Sequence, residues 1–205
     1  MSRYLGPKLR IIRRLGELPG FTVKTTNRKY PPGQHGPNKV NKKRSTSDYS
    51  LRLQEKQKLR YNYGISEKQL YGYMKEARNL KGASGTFLLQ LLEMRLDNII
   101  YRLGFTNSIA NARQFVTHSH ILVNNKIINI PSFQCKPNDI ITIKESFKST
   151  KILKENLESY TLDRLGTYLE LDKNNFTGKV KTIISREDIN LNINELLIVE
   201  FYSRK

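Results

Sequence analysis

Basic side chains that can bind phosphate are concentrated in the first sixty residues of the chain. This stretch holds sixteen Lys and Arg against three acidic residues, so it carries +13 of the formal net charge of +18. The planar guanidinium fork of arginine suits bidentate contact with phosphate, and each neutralised phosphate releases counterions. The candidate phosphate ligands in this region are Lys8, Arg10, Arg13, Arg14, Arg28, Lys29, Lys42, Lys43, Arg44, Arg52, Lys56 and Arg60.

A second group of basic side chains lies between residues 95 and 143, where helical periodicity gives way to alternation. Arg95 and Arg102 are seven residues apart, so a continuous helix would place both on one face. A helix face beside a short hairpin, with basic groups on both, suits shape-based contact with RNA phosphates and 2′-hydroxyls. For any single residue, a solvated charged face is the alternative. The candidates are Arg95, Arg102, Arg113, His118, His120, Lys126 and Lys136.

Aromatic residues and a glycine-proline loop add further candidates for RNA contact. Tyr30, Tyr61 and Tyr63 can stack on unpaired bases, although Tyr63 fits a core position equally well. The loop Pro31-Pro32-Gly33-Gln34-His35-Gly36 is either a linker or an RNA contact through His35, and its basic surroundings favour contact. Gly82–Gly85 resembles the GXXG clamp of another RNA module, but its place between two predicted helices favours a pair of helix caps.

Metal binding and catalysis find no support in the residue pattern. His118 and His120 flank Ser119, but no cluster of acids or thiols accompanies them, and the single Cys135 excludes a multi-thiolate zinc site. No Walker loop, nucleophile elbow or HExxH pair is present. The acidic residues Glu67, Glu76, Glu93 and Asp97 are scattered over predicted helices, where solvation or a salt bridge is the default. We therefore expect no enzyme activity, cofactor, metal or small-molecule substrate.

The high net charge indicates a polyanionic partner, because self-repulsion otherwise opposes compaction. Nucleic acid is the commonest such partner, and an anionic membrane surface is the competitor. The sequence contains no run of about 18 apolar residues that would span a bilayer. Basic sequence already begins at Arg3, which argues against a secretory signal. The expectation is therefore RNA binding without membrane association.

Helical periodicity predicts the elements that position these side chains in the first half of the chain. The predicted helices cover residues 47–64, 66–80, 86–103 and 107–118. Ser66 and Gln69 match the capping-box pattern of the second helix. The third helix has the densest apolar pattern in the chain and ends at Gly104.

Alternating patterns then predict β-structure. A hairpin is expected at 121–130 with Asn124-Asn125 as a type I′ turn, because asparagine tolerates positive φ. A turn at 136–139 leads into a strand at 140–144. Beyond it, the pattern predicts a helix at 152–160, strands near 168–171 and 179–184, and a turn capped by Ser185. Residues 196–202 fit either a helix or a strand.

These elements predict an α+β chain with four regions. Residues 1–46 hold five of the seven prolines, so we expect a basic, extended arm that becomes ordered on its partner. Residues 47–93 form a helical subdomain, and 94–185 form a small helix-plus-hairpin RNA-binding module with a further mixed α/β region. Residues 186–205 form a tail that packs back on the body.

The run MRLDNIIYRLGFTNSIANARQFVTHSHILVNNKIINIPSFQCKPNDIITI, residues 94–143, resembles the small RNA-binding module named after ribosomal protein four of the small subunit. That module also occurs in pseudouridine synthases, a heat-shock protein and some tRNA synthetases, so an RNA-modifying or RNA-rescue factor is the competing class. The flanks MSRYLGPKLRIIRRLGELPG, YPPGQHG, EKQKLRYNYGISEKQL and ELLIVEFYSRK resemble the ribosomal family itself. The resemblance is weakest from about residue 147 to 185.

This resemblance implies a structural constituent of the small ribosomal subunit. It implies primary binding to the 5′ domain of small-subunit rRNA, nucleation of assembly, a contribution to translational accuracy, and contact with the neighbouring fifth small-subunit protein. Many bacterial relatives carry a zinc-binding cysteine cluster near the N-terminus, which this chain lacks. The first twenty residues and Cys135-Lys136-Pro137 resemble plastid-type members most, so a plastid ribosome is expected and the bacterial cytoplasm is the alternative.

Overall fold

The computed structural model describes residues 4–28, 30–39, 47–160, 165–189 and 191–203. The predicted α+β class is confirmed, since the described residues form both helices and a small antiparallel sheet. The helices are α1 (Lys8–Leu15), α2 (Asp48–Asn62), α3 (Glu67–Asn79), α4 (Ser84–Glu93), α5 (Leu96–Arg102), α6 (Ile109–Thr117), α7 (Glu145–Lys148), α8 (Lys151–Glu158) and α9 (Glu195–Ser203). The strands are β1 (Ile121–Val123), β2 (Lys126–Ile127), β3 (Ile140–Ile143), β4 (Leu169–Asp172) and β5 (Thr177–Val180).

The chain divides into two compact units. The first comprises Met1–Gly85 together with Leu191–Lys205, and the second comprises Thr86–Asn190. None of the described helices combines the length and hydropathy needed to cross a membrane.

In the first unit, local capping signals fix the starts of two helices as predicted. The Ser47 hydroxyl accepts a hydrogen bond from the Ser50 amide at the start of α2. Ser66 and Gln69 form a reciprocal capping box at the start of α3, which is confirmed. These side chains satisfy amide groups that have no partner within the helix.

The described part of the N-terminal segment is more ordered than its composition indicates. Leu15, Leu18 and Phe21 form a buried cluster against which Ile11, Ile12 and Tyr61 pack. The buried Gly20 amide donates to the Asn62 side chain of α2 at 3.0 Å. Residues 8–21 therefore bury apolar side chains that an average over 46 residues hides among prolines and cations. That residues 1–46 become ordered on a partner stays a prediction.

The undecided segment 196–202 lies within helix α9. Its buried residues Ile198, Phe201 and Tyr202 follow the spacing of one helix face. The Tyr202 hydroxyl donates to the Glu67 carboxylate at 2.9 Å, which ties α9 to α3. The Arg52 guanidinium of α2 donates to Glu200 at 2.7 Å. Tertiary contact with α2 and α3 thus selects the helix over the strand that the β-branched residues also allow.

The prediction of a single helix over 86–103 is wrong, because the helix is interrupted at Met94 and Arg95. Arg95 has an extended backbone with ψ of 140° and forms an antiparallel bridge with Gln134. The Leu96 and Asp97 amides donate to the carbonyls of Phe133 and Pro131 at 2.9 and 3.1 Å. The loop that follows the hairpin therefore takes over the hydrogen bonds that a continuous helix would have made.

The second unit contains a five-stranded antiparallel sheet in the order β2-β1-β3-β5-β4. Asn124 and Asn125 have φ values of 50° and 63°, which confirms the predicted hairpin turn. Strand β5 begins and ends earlier than the predicted 179–184, since Asp172 organises a tight turn by accepting the amides of Asn174 and Asn175. Short helix α7 was not predicted, whereas α8 matches the helix expected at 152–160.

Gly104 is the point where the turn after α5 packs closely against the end of α8 and the residues that follow it. Its φ is +80°, and a side chain there would overlap the ring of Tyr160. The Tyr160 hydroxyl donates to the carbonyl of Arg102, and the Asn156 side chain donates to the carbonyl of Phe105 at 3.0 Å. Both the left-handed backbone and the close ring therefore require glycine at this position.

Candidate nucleic-acid interface

Helix α1 presents a basic face to solvent. Arg10 and Arg14 are exposed and four residues apart, while Ile11, Ile12 and Leu15 occupy the opposite side. Among the residues that the structure describes, neither guanidinium has a carboxylate within salt-bridge distance. Their charge is therefore available to an anionic partner. We call Arg10 and Arg14 the α1 basic face.

Two other predicted ligands of this region also hold the local structure together. The Arg13 guanidinium donates to the carbonyls of Tyr30 and Pro31 at 3.1 Å each, and it lies 4.8 Å from the centre of the Tyr30 ring. Lys8 donates to the carbonyl of Phe21 at 3.4 Å. Arg13 thus fixes the loop that carries the exposed His35 against α1.

The predicted ligands on α2 have internal partners. Lys56 is only 5% exposed and donates to Glu67 at 2.8 Å, so the expectation of phosphate contact by Lys56 is corrected. Burial raises the pKa of Glu67, but the hydrogen bonds from Lys56 and Tyr202 outweigh this, so the net pKa is lowered. The Arg52 side chain is 12% exposed and pairs with Glu200. Arg60 is half-buried, with its guanidinium carbon 4.7 Å from the centre of the Tyr61 ring.

Arg95, which was expected to bind phosphate, is instead buried in an ion-pair network. It is 1% exposed and grips both oxygens of Asp97, at 3.0 and 2.8 Å. Arg113 donates to the same carboxylate at 2.7 Å. A guanidinium that is enclosed in this way cannot reach an RNA phosphate, so the assignment of Arg95 is corrected.

Arg102 belongs to a second buried pair. Its guanidinium grips the fully buried carboxylate of Glu93, at 3.1 and 2.7 Å. The Asn98 side chain also donates to this carboxylate, as does the Tyr168 hydroxyl at 3.5 Å. Burial and the Glu93 charge raise the pKa of Tyr168 well above its usual value, so the hydroxyl stays protonated. These two carboxylates and their partners connect α4, α5 and α6 at the point where the helix is interrupted. We call this set the junction network, and its members are Glu93, Asp97, Arg95, Arg102 and Arg113.

At one end of the hairpin, two exposed lysines flank adjacent turns. Asp139 accepts from the Asn124 side chain at 2.9 Å and from the Lys136 amide at 2.7 Å. Asn124 in turn accepts from the Ile140 amide at 2.9 Å. This bracing holds the exposed side chains of Lys126 and Lys136 at the same end of β1 and β3.

The two histidines lie at the other end of these strands. His120 stacks on Phe147 with ring centres 4.0 Å apart and an interplanar angle of 12°, and His118 lies 5.9 Å from His120. Burial, followed by the nearby charges of His118 and Lys144, lowers the pKa of His120. At pH 7 His120 therefore offers an uncharged imidazole. Lys144 is exposed beside it and was not among the sequence candidates, although it is the last residue of the predicted strand.

The remaining candidates separate clearly. Tyr63 is 1% exposed and belongs to the core, and Tyr61 packs with the N-terminal cluster. Arg28 is exposed. Lys29, Lys42, Lys43 and Arg44 lie outside the described residues.

Within the described ranges, no group of three or more His, Cys, Asp or Glu is arranged to hold a metal ion. Burial raises the pKa of the Cys135 thiol far above its usual value.

Family models match the chain along most of its length. Residues 3–93 match the ribosomal protein S4/S9 N-terminal domain, and residues 94–141 match the S4 domain. The chain belongs to the uS4 family of small ribosomal subunit proteins. It is therefore a structural ribosomal protein with an RNA-binding S4 domain. The S4 domain match contains Asp97 and the three arginines of the junction network, the hairpin and both histidines, whereas Glu93 is the last residue of the N-terminal domain match.

Individual relatives agree with this assignment over their full lengths. The small ribosomal subunit protein uS4c of Cyanophora paradoxa is 59% identical over 205 residues, which is all of both chains. The uS4 proteins of Synechocystis sp. and Trichodesmium erythraeum are each 54% identical, again over all of both chains. The similarity includes the segment from about residue 147 to 185, where the motif resemblance was weakest.

Proposed function

We propose that this protein is a primary rRNA-binding protein that binds the 5′ domain of small-subunit rRNA. In that role it nucleates assembly of the subunit and contributes to translational accuracy. The observation that carries the proposal is the pair of exposed cationic sets, the α1 basic face in the first unit and the hairpin ends in the second. Cations without internal partners suit the dense phosphates of a folded RNA.

The structure-based choice of contacts is narrower than the set chosen from sequence. Residues whose charge is held internally are left out, and Arg13 and Tyr30 are assigned to positioning the loop. Lys29, Lys42, Lys43 and Arg44 remain sequence-based candidates. The proposed RNA contacts among the described residues are Lys8, Arg10, Arg14, Arg28, His35, His118, His120, Lys126, Lys136 and Lys144.

Membership of the uS4 family supports the proposed partners and location. The proposed partners are small-subunit rRNA and neighbouring small-subunit proteins, notably the fifth, and the role is structural rather than enzymatic. We place the protein in the plastid ribosome, with the bacterial cytoplasm as the alternative. The plastid-type uS4c relative at 59% identity, against 54% for the cyanobacterial proteins, supports this placement.

The test is binding of the full chain to transcribed fragments of small-subunit rRNA. Filter binding would compare the 5′ domain with a 3′-domain fragment of equal length at several salt concentrations. If about six phosphates are neutralised, log K against log salt has a slope of about −4 to −5. Preferential binding to the 5′ domain with such a slope supports the proposal. Equal binding to both fragments, or a slope near zero, overturns it.

A further inference from the structure

Helix α3 carries a basic surface that no intramolecular contact explains. Leu70, Met74 and Ala77 form its buried side. Lys68, Lys75 and Arg78 are exposed on the rest of its circumference. Within the described part of the chain, none of these three has a carboxylate at salt-bridge distance. Two acids lie on α3: Glu76 is exposed, and Glu67 has a side chain that is 38% exposed but is paired with Lys56.

Lys68 is unfavourable for the helix itself. It occupies the second position of α3, where the helix dipole disfavours a cation. Its neighbours one turn further along are Tyr71 and Gly72, so no acidic residue at i+3 or i+4 compensates. Arg78 alone, in the last turn, has the position that favours a cation.

Gly72 is a second residue on α3 whose type does not favour the helix. It is exposed in the interior of α3, where glycine is less favourable than alanine. A Cβ added there would meet nothing within 4 Å, and the φ of Gly72 is not in the left-handed region. Neither packing nor backbone conformation therefore requires glycine. Gly72 lies between Lys68 and Lys75 on the exposed side, so it leaves a flat site between two cations about 10 Å apart along the helix axis.

We propose that Lys68, Gly72, Lys75 and Arg78 form a phosphate-backbone contact for the rRNA, separate from the α1 basic face and the hairpin ends. Charge complementarity selects RNA as the occupant, since α3 exposes three cations that have no salt-bridge partner among the described residues, while Glu67 is neutralised by Lys56 and only Glu76 opposes them. The missing side chain at Gly72 lets a sugar-phosphate strand approach the helix closely, as glycine does where a backbone must come near a ligand. This inference rests on the proposed function and adds a surface to it.

The first test neutralises charge. The full-length variant Lys68→Gln/Lys75→Gln is compared with Lys154→Gln/Lys173→Gln, which removes the same charge from two exposed lysines elsewhere. Anisotropy with the labelled 5′-domain fragment should give a salt slope that is shallower by about 2 for the α3 pair, because each lost phosphate contact removes about one unit. The control pair should keep the parental slope. An α3 pair that matches the parent or the control overturns the proposal.

The second test separates RNA contact from folding. Gly72→Leu should raise the thermal midpoint of the free protein, because leucine is a better helix former and the site is open. The same variant should bind the 5′-domain fragment several-fold more weakly, because the leucine side chain occupies the approach. Parental affinity in a folded Gly72→Leu variant overturns the close approach. If the parent itself lacks salt-dependent binding, the proposed function fails rather than this surface.

Discussion

On α1, Arg10 and Arg14 project into solvent from a helix whose other side packs into the cluster of Leu15, Leu18 and Phe21. In the second unit, Arg95 and Arg102 are buried. Arg95 donates to both carboxylate oxygens of Asp97, and Arg102 donates to both carboxylate oxygens of Glu93. Arginine side chains are therefore exposed in one region and held inside the fold in the other.

The difference lies in where the carboxylates are. Residues 8–15 contain no acid, and among the described residues no carboxylate lies within salt-bridge distance of Arg10 or Arg14. In the junction, Glu93 and Asp97 lie at 0% and 1% exposure, and a buried carboxylate requires a partner. Net charge alone does not separate available arginines from internal ones. Acid placement relative to the core does.

The largest expected effect comes from breaking the junction network. Arg95→Ala leaves Asp97 buried with one cation fewer, and removing one partner of a buried pair costs about 3–5 kcal/mol. Urea unfolding of the full chain measures the loss. A double variant, Arg102→Met with Glu93→Leu, should be less destabilised than Arg102→Ala alone, because it leaves no unpaired charge. An Arg95→Ala variant with parental stability would contradict the structural role.

The second effect tests the ordered core of the N-terminal segment. Leu18 is 2% exposed, so Leu18→Ala should destabilise the free protein by about 2 kcal/mol or more. Leu5, which is 80% exposed, provides the control, and Leu5→Ala should leave the unfolding midpoint unchanged. Equal midpoints for both variants would mean that the segment gains its structure only on RNA.

Local signals explain which elements were predictable. Ser66 with Gln69 and Asn124-Asn125 act within a few residues, so the sequence alone identified the capping box and the hairpin turn, and it placed the start of α2 near Ser47. The break at Arg95 was not predictable in this way, because its amide and carbonyl partners lie about forty residues later in the chain. The apolar pattern continues through the break and hides it.

The candidate site divides along the same line. Lys126, Lys136 and His118 are exposed beside turns, so their accessibility could be predicted without knowledge of the sheet, and their RNA contact stays a prediction. Arg95, Arg102 and Lys56 were misassigned because their burial depends on tertiary contacts with residues that only the fold brings close. Lys68 and Lys75 were overlooked, although their positions opposite Leu70 and Met74 already indicated an exposed face.

The third prediction concerns the α1 basic face, where removing arginines should weaken RNA binding rather than stability, in contrast to the junction network. Arg10→Gln with Arg14→Gln should change the free energy of unfolding by no more than about 0.5 kcal/mol, since both side chains are exposed. RNA affinity should fall, and the salt slope should become shallower by about 2. Circular dichroism melts and anisotropy on the same samples measure both. Loss of stability with an unchanged slope would reverse the roles of the two regions.

The smallest effect is a pH dependence at Glu67, which joins α2, α3 and α9 through Lys56 and Tyr202. Because the folded-state pKa of Glu67 is lowered, its ionised form stabilises the fold above the unfolded pKa, and this contribution disappears as pH falls through the folded pKa. Glu67→Gln should therefore lower the thermal midpoint slightly at pH 7. The gap between variant and parent should begin to narrow as pH falls below the ordinary glutamate pKa of about 4.3, and it should close below the lowered folded-state pKa. Glu76→Gln, on the exposed side of α3, is the matched control and should show no such closing gap. A Glu67→Gln deficit that persists unchanged into acid would mean that shape rather than charge holds α9 against α3.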